Sequence, residues 1–153
     1  MSIVIRSFEQ YPTSYESDLA RIYEDEPTFK GIPSHALAAI QAEFNQANTM
    51  LYIAQFNDRW LASATVVGGE EREIRLLCVR SATRLRGVGS RLIQEIKRIE
   101  LANGCRRLFT YADPNNPQAE AFYSALNIEK GDSNAEPEKL LYSIYSEETS
   151  PIN

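Results

Sequence analysis

One histidine, His35, and two cysteines, Cys78 and Cys105, are the whole supply of imidazole and thiol in this chain. A lone histidine gives little support to a Ser-His-Asp triad or a histidine-rich zinc site. Both cysteines fall in strand-like apolar runs, the setting of buried free thiols rather than of a disulfide or metal pair. Basic residues are the minority: 16 Lys and Arg stand against 21 Asp and Glu, for a net charge of −5. That balance disfavours a general nucleic-acid binder. No apolar run approaches the roughly 20 residues that cross a bilayer, and the first residues lack a secretory-leader pattern. No membrane partner and a cytoplasmic location are therefore expected. There is no internal repeat, low-complexity tract or linker. A chain of 153 residues, 43% hydrophobic, has the size of one domain with one core. Residues 1–146 read as that domain and 147–153 as a polar tail.

What is there reads as an ordered series of elements. Residues 3–5 form a short strand. Residues 15–26 look helical, with Leu19, Ile22 and Tyr23 on one face and Pro27 as the stop. Ser34 can cap a second helix running to about residue 47, with Leu37, Ile40 and Phe44 inward. Strand-like runs at 50–56 and 60–67 flank Asn57-Asp58-Arg59, and Gly68-Gly69 turns the chain into a third strand over 71–79. A helix from about 92 to 102 stops at Asn103-Gly104. A strand at 106–111 and a helix from Pro117 to Leu126 follow, then Asn127 in a left-handed position, room for a short strand, and a last strand at 139–145. Hairpins in the middle and crossovers at the end make this an α+β fold, an α/β/α sandwich with a mixed, mostly antiparallel central sheet and helices on both faces.

Between the third strand and its helix lies the most informative stretch, Arg84-Leu85-Arg86-Gly87-Val88-Gly89-Ser90-Arg91. Two glycines let backbone N–H groups converge, and the helix start adds unpaired donors and the positive end of its dipole. Strand, glycine loop and helix start together cradle a phosphate. Flanking arginines suit a polyanion. A P-loop needs four residues between its glycines, then Lys and Ser or Thr. A Rossmann fingerprint needs a third glycine where Leu92 stands.

The form Arg-x-x-Gly-x-Gly resembles the pyrophosphate loop of the GNAT acetyltransferase superfamily, which binds the diphosphate of acetyl-CoA. A second motif sharpens the resemblance. Asn116-x-x-Ala119-x-x-Phe122-Tyr123-x-x-Leu126-Asn127-Ile128 is similar to the family's Asn-x-x-Ala-x-x-(Leu/Phe)-Tyr-x-x-Leu-Gly-Phe, with its end altered to Leu-Asn-Ile. The resemblance implies that Arg84, Leu85, Arg86, Gly87, Val88, Gly89 and Ser90 bind the diphosphate. It further implies that strands splayed around Leu77-Cys78-Val79 and 106–111 pair with pantetheine, that Asn116 binds its side, and that Tyr123 points at the thioester sulfur. Glu73, six residues before Val79, occupies the general-base slot of histone-type members. Glu70, Glu71 and Glu73 also read as a solvated charge run, and Asp113 is a rival base. A phenol of pKa about 10 beside a thiol of about 8.5 makes full proton transfer uphill by roughly 2 kcal/mol, so Tyr123 would donate a hydrogen bond rather than a proton.

The implied activity is transfer of an acetyl group from acetyl-CoA to an amine of a small molecule or peptide, in a ternary complex where orientation supplies roughly 7–11 kcal/mol. The alternative comes from one GNAT branch. Residues 51–62, 79–89 and parts of 5–22 resemble the PanZ/PanM-type acetyl-CoA sensors, which engage aspartate 1-decarboxylase precursor and promote its self-cleavage. Three features depart from that branch: Gln55 where the sensors carry Arg, an added segment at about 32–47, and the retained Tyr123. The enzyme is the primary expectation, the sensor its alternative, and a cofactor-free interaction domain a third reading. Glu24, Asp25, Glu26, Asp132, Glu136 and Glu138 form either an acidic rim for a cationic acceptor or ordinary surface charge. The terminal strand leaves monomer or homodimer open.

Overall fold

Alternating apolar residues make the strands and a 3.6-residue apolar period makes the helices. A computed structural model describes residues 2–29, 32–46, 48–83, 87–114, 116–131 and 140–147. Along the chain run β1 (Val4–Phe8), α1 (Glu16–Ile22), α2 (Pro33–Phe44), β2 (Thr49–Phe56), β3 (Arg59–Gly68) and β4 (Glu71–Val79). Then come α3 (Val88–Ala102), β5 (Arg107–Ala112), α4 (Pro117–Ala125), β6 (Glu129–Gly131) and β7 (Leu140–Ser146). Seven strands form one sheet in the order β1-β2-β3-β4-β5-β7-β6. Among the described residues only β4 and β5 are parallel neighbours; the other pairs are antiparallel. The α+β architecture with a mixed, mostly antiparallel sheet is as expected, including the short strand after Asn127.

Turn chemistry explains the connections. Asn57 takes a left-handed φ of 53° in the β2–β3 turn, and Asn127 takes 59° after α4. Gly68, at φ 135°, is required between β3 and β4, because a Cβ there would lie 2.2 Å from the Glu71 carbonyl oxygen. The parallel β4–β5 pair needs a crossover, and α3 supplies it. Its Val88, Leu92, Ile93 and Ile96 are buried, while Gln94, Lys97 and Arg98 face solvent.

Helices cover both sheet faces. On one, α3 packs with Tyr52, Ala54, Ala62, Ala64, Val66, Ile74 and Leu108, flanked by Phe122 and Leu126 of the α4 region. On the other, Leu19, Ile22 and Tyr23 of the α1 region and Ala36 and Ile40 of α2 pack on Leu51, Ile53, Trp60 and Cys78. Burying each large aliphatic side chain contributes about 1.5–3 kcal/mol. A carboxylate is sunk into the α3 face. Glu100 accepts from the Tyr52 hydroxyl and pairs with Arg72 at 2.6 Å, and Arg72 also donates to the Asn103 carbonyl at 3.1 Å. The C-terminal end of α3 is thereby tied to β2 and β4.

Some expectations are corrected. Ser34 does not cap α2: Ile32 is the N-cap residue without a side-chain cap bond, and Pro33 opens the helix, where its missing N–H costs nothing. That helix ends at Phe44. The first helix stops at Ile22, with Tyr23 as its C-cap: the Tyr23 N–H turns to the Ala20 carbonyl at 3.1 Å, and the Glu26 N–H reaches the Tyr23 carbonyl at 3.2 Å. Cys105 lies in the connection before β5, not in a strand. Neither cysteine forms a disulfide, and both are buried.

Candidate functional site

The site begins where β4 breaks its own alternation. Glu73 and Arg75 face α2, Ile74 faces α3, and then Leu76 packs on the α1–α2 side again while Leu77 returns to the α3 side. Two consecutive residues on one face mean one extra residue, a β-bulge. The register agrees: Thr65 pairs Arg75 while Ser63 pairs Cys78. Leu76 sits at φ 54°, a left-handed position that costs a leucine on the order of 1–3 kcal/mol. Two hydroxyls hold the kink. Tyr23 donates to the Leu76 carbonyl at 2.6 Å, and Thr65 donates to the Arg75 carbonyl at 3.3 Å.

The bulge opens the sheet. Among the described residues, β4 and β5 pair only from Glu71↔Arg107 to Ile74↔Thr110. Beyond that rung they part as a fork, with Leu77, Cys78 and Val79 on one prong and Tyr111 and Ala112 on the other. The Cys78 side chain turns away from the fork and its thiol donates to the Ile22 carbonyl at 3.2 Å.

At the far end of the β4 prong is the glycine loop. Gly87 is the N-cap of α3 at φ 79°, in the left-handed region where glycine is at ease. Val88, Gly89 and Ser90 form the first turn, whose N–H groups have no intrahelical acceptor. Arg84, Leu85 and Arg86, also expected to bind, lie outside the described residues. A cavity of about 190 Å³ is lined by Val79, Thr83, Gly87, Val88, Gly89, Ser90 and Phe122. A Cβ on Gly89 would come within 3.1 Å of the Phe122 ring and 3.2 Å of Val79, so glycine here sets how closely α3 meets the fork.

From the α4 side comes Tyr123, buried and packed on Tyr142 with ring centroids 4.5 Å apart. Thr110 lies beside it, at the last rung before the fork, where the Thr110 hydroxyl donates to the Ile74 carbonyl at 2.8 Å. Burial pushes the Tyr123 phenol up to about 12, so at neutral pH it is a hydrogen-bond donor. Asn116 is the N-cap of α4, accepting from the N–H groups of Gln118 at 3.1 Å and Ala119 at 3.2 Å. Asn116 itself is exposed. Asp113 follows the end of β5 and is exposed.

Glu73 approaches from the opposite face. Its carboxylate is 3.0 Å from Arg75 Nε, and Arg75 Nη1 reaches both Glu43 oxygens, at 3.0 and 3.2 Å. Glu43 is buried on α2. Beside this network, Tyr23 stands edge-on to Phe29, with its phenol pushed upward by complete burial. The structure thus brings together Val79, Gly87, Val88, Gly89 and Ser90 along one wall, puts Tyr123 at the root of the fork, and sets Glu73 in an ion-pair network on the other side.

Sequence reasoning missed Thr110, Arg75, Tyr23 and Leu76. Arg75 had a signal: two residues on from Glu73 in a strand, it shares its face. Leu76 had none, since nothing in a leucine announces a positive φ.

A seven-stranded mixed sheet opened by a bulge in its fourth strand, with a glycine loop leading into the crossover helix, is the GNAT fold. Solved structures agree. The PaiA N-acetyltransferase of Thermoplasma acidophilum, in complex with coenzyme A, matches with a TM-score of 0.72 at 12% identity, over 94% of this chain and 98% of that one. An aminoglycoside 6'-acetyltransferase type Ii matches at 0.74 and 16%, over 93% and 96%. The ribosomal-protein-S18-alanine N-acetyltransferase of Escherichia coli matches at 0.71 and 15%, over 94% and 95%. In sequence, the family model described as "Acetyltransferase (GNAT) domain, PanZ" matches residues 2–135. The PanD regulatory factor of Escherichia coli K12 is 31% identical over 99 residues, 64% of this chain and 68% of that one. The chain belongs to the PanZ family of GNAT domains.

Proposed function

We propose that this protein is an acetyl-CoA-dependent regulator that binds aspartate 1-decarboxylase precursor and promotes its self-cleavage. The observation that carries this reading is the joint match to the PanZ family and to a PanD regulatory factor. The site supports it from the chemical side. The carboxylate best placed in sequence to act as a base, Glu73, is tied up by Arg75, and Arg75 is in turn clamped by Glu43.

The residues present fit acetyl-CoA. The first turn of α3, from Gly87 to Ser90, would take the diphosphate through backbone N–H groups, with Arg84, Leu85 and Arg86 completing the loop. Leu77, Cys78 and Val79 offer main-chain groups on the fork for pantetheine, Asn116 an exposed amide, and the Gly89–Phe122 contact a wall. When bound, acetyl-CoA would bring a thioester to the fork. For a sensor, the chain needs only to bind and orient it.

Tyr123 favours a second reading, N-acetyltransfer to an amine. Its hydroxyl is protonated, at the root of the fork beside Thr110. In that role it would donate a hydrogen bond to the departing thiolate as the new C–N bond forms and the C–S bond breaks. Acetyl-CoA, an amine panel and detection of free thiol separate the two readings. Release of thiol with any amine well above the hydrolysis rate supports the enzyme. A decarboxylase precursor that binds only with acetyl-CoA present, and then cleaves faster, supports the regulator.

A further inference from the structure

We infer that Arg6 is a carboxylate-binding residue for the partner protein, on a surface separate from the acyl-CoA fork. The inference rests on the regulatory reading above, because it needs a protein partner. Arg6 lies on β1, opposite Ile53 of β2, with β2 and β3 between it and β4. Its guanidinium carbon is 4.9 Å from the Phe8 ring centroid, 5.1 Å from that of Tyr15 and 5.9 Å from that of Trp60. Tyr15 and Trp60 stack at 5.1 Å, making a rigid platform. Gln55 fixes the orientation: its Oε1 accepts from Arg6 Nη1 at 3.2 Å and from Trp60 Nε1 at 3.1 Å, and its amide donates to the Asn57 carbonyl at 2.6 Å.

What the cation lacks is an anion. Among the described residues Arg6 has no carboxylate partner, although the chain carries 21 acidic residues. Glu16, in the neighbouring segment, is instead taken by the Tyr11 hydroxyl at 2.6 Å. A half-buried guanidinium held in an aromatic box and still offering N–H groups is preorganised for a planar, bidentate acceptor. Phosphate would fit the same fork of donors, but a single arginine without neighbouring cations or a glycine loop suits one carboxylate better.

The shape decides the source of that carboxylate. Small carboxylates need concave sites that enclose most of the ligand. Here Tyr15 is 37% exposed, the adjoining groove along residues 7–15 is open, and β1 is the sheet's edge, with Val4 59% exposed. A protruding Asp, Glu or C-terminal carboxylate of a partner reaches such a surface; a free acid would be left in water.

Calorimetry of wild type, Arg6→Gln, Arg6→Met and Arg6→Lys with aspartate decarboxylase precursor, at saturating acetyl-CoA, tests this. Arg6→Met keeps an apolar stem among the rings if Arg6→Gln fails to fold. Both neutral variants should bind the precursor roughly tenfold or more weakly, Arg6→Lys should keep part of the affinity, and all should bind acetyl-CoA as wild type does. Added salt should weaken the wild-type complex and affect the Arg6→Met complex less. Precursor affinity within twofold of wild type in Arg6→Met overturns the inference while leaving the regulatory reading intact. A wild-type protein that never binds precursor overturns both. Saturable binding of acetate or glutarate to the free wild type, lost in Arg6→Met, assigns the site to small acids and overturns the protein-borne source.

Discussion

Arg75 holds Glu73 at 3.0 Å with its Nε while its Nη1 spans both oxygens of Glu43, so one guanidinium joins β4 to α2 at the residue best placed by sequence to be a base. Removing it leaves Glu43 buried without its cation. Arg75→Met should therefore destabilise the fold by roughly 1–3 kcal/mol, read by chemical denaturation. Affinity for acetyl-CoA should be unchanged, because among the described residues no part of the network reaches the glycine loop.

Gly89 has almost no room for a side chain. A methyl group must displace Phe122 or Val79, and overpacking of this kind costs about 1–3 kcal/mol. Gly89→Val should weaken coenzyme A binding by at least roughly tenfold in calorimetry, by moving α3 away from the fork. Gly87→Ala tests a different cause, since a Cβ there meets open space but the φ of 79° is strained for alanine. It should cost about 1 kcal/mol in stability.

Glu100 is the more deeply buried carboxylate and depends on Arg72. Arg72→Met should cost about 3–5 kcal/mol, because it strands a buried charge. Tyr52→Phe should cost less, about 1 kcal/mol, because Arg72 remains. Denaturant unfolding of both variants gives the order directly.

The buried phenols give the protein an alkaline limit. Tyr123 titrates near 10 when unfolded and at about 12 in the fold, with burial the main cause. Its folded pKa is the higher one, so the associated stability is fully present below pH 10 and lost as pH rises towards 12. Tyr23 and Tyr52 are shifted in the same direction. Stability measured against pH should be flat with respect to these groups up to about pH 10 and then fall. Tyr123→Phe should fall less steeply. In the amine assay the same variant should lose part of any turnover while still binding coenzyme A.

Strands, turns and crossover helices were legible because each has a local cause: alternation in β2 to β4, Asn57 and Gly68 at turns, the apolar stripe of α3. The glycine loop was legible for the same reason, as a run of adjacent residues with one backbone requirement. The fork was not. It depends on a bulge at Leu76 held by Tyr23, the residue just after α1, a contact between residues 53 positions apart. Glu73 and Arg75 could be placed on one face from strand period alone, but Glu43, which decides how firmly Arg75 is held, comes from another element. Thr110 gave no sign of itself, since a threonine in a strand is ordinary until a buried tyrosine is set against it.

The central claim is that filling the β4–β5 fork makes this chain a partner for aspartate decarboxylase precursor. Sedimentation of the two proteins together, with and without acetyl-CoA, addresses it most directly. The predicted result is a complex that forms with acetyl-CoA, dissociates without it, and is lost in Gly89→Val. Co-sedimentation indifferent to acetyl-CoA, or absent in its presence while amines are acetylated, would contradict the account.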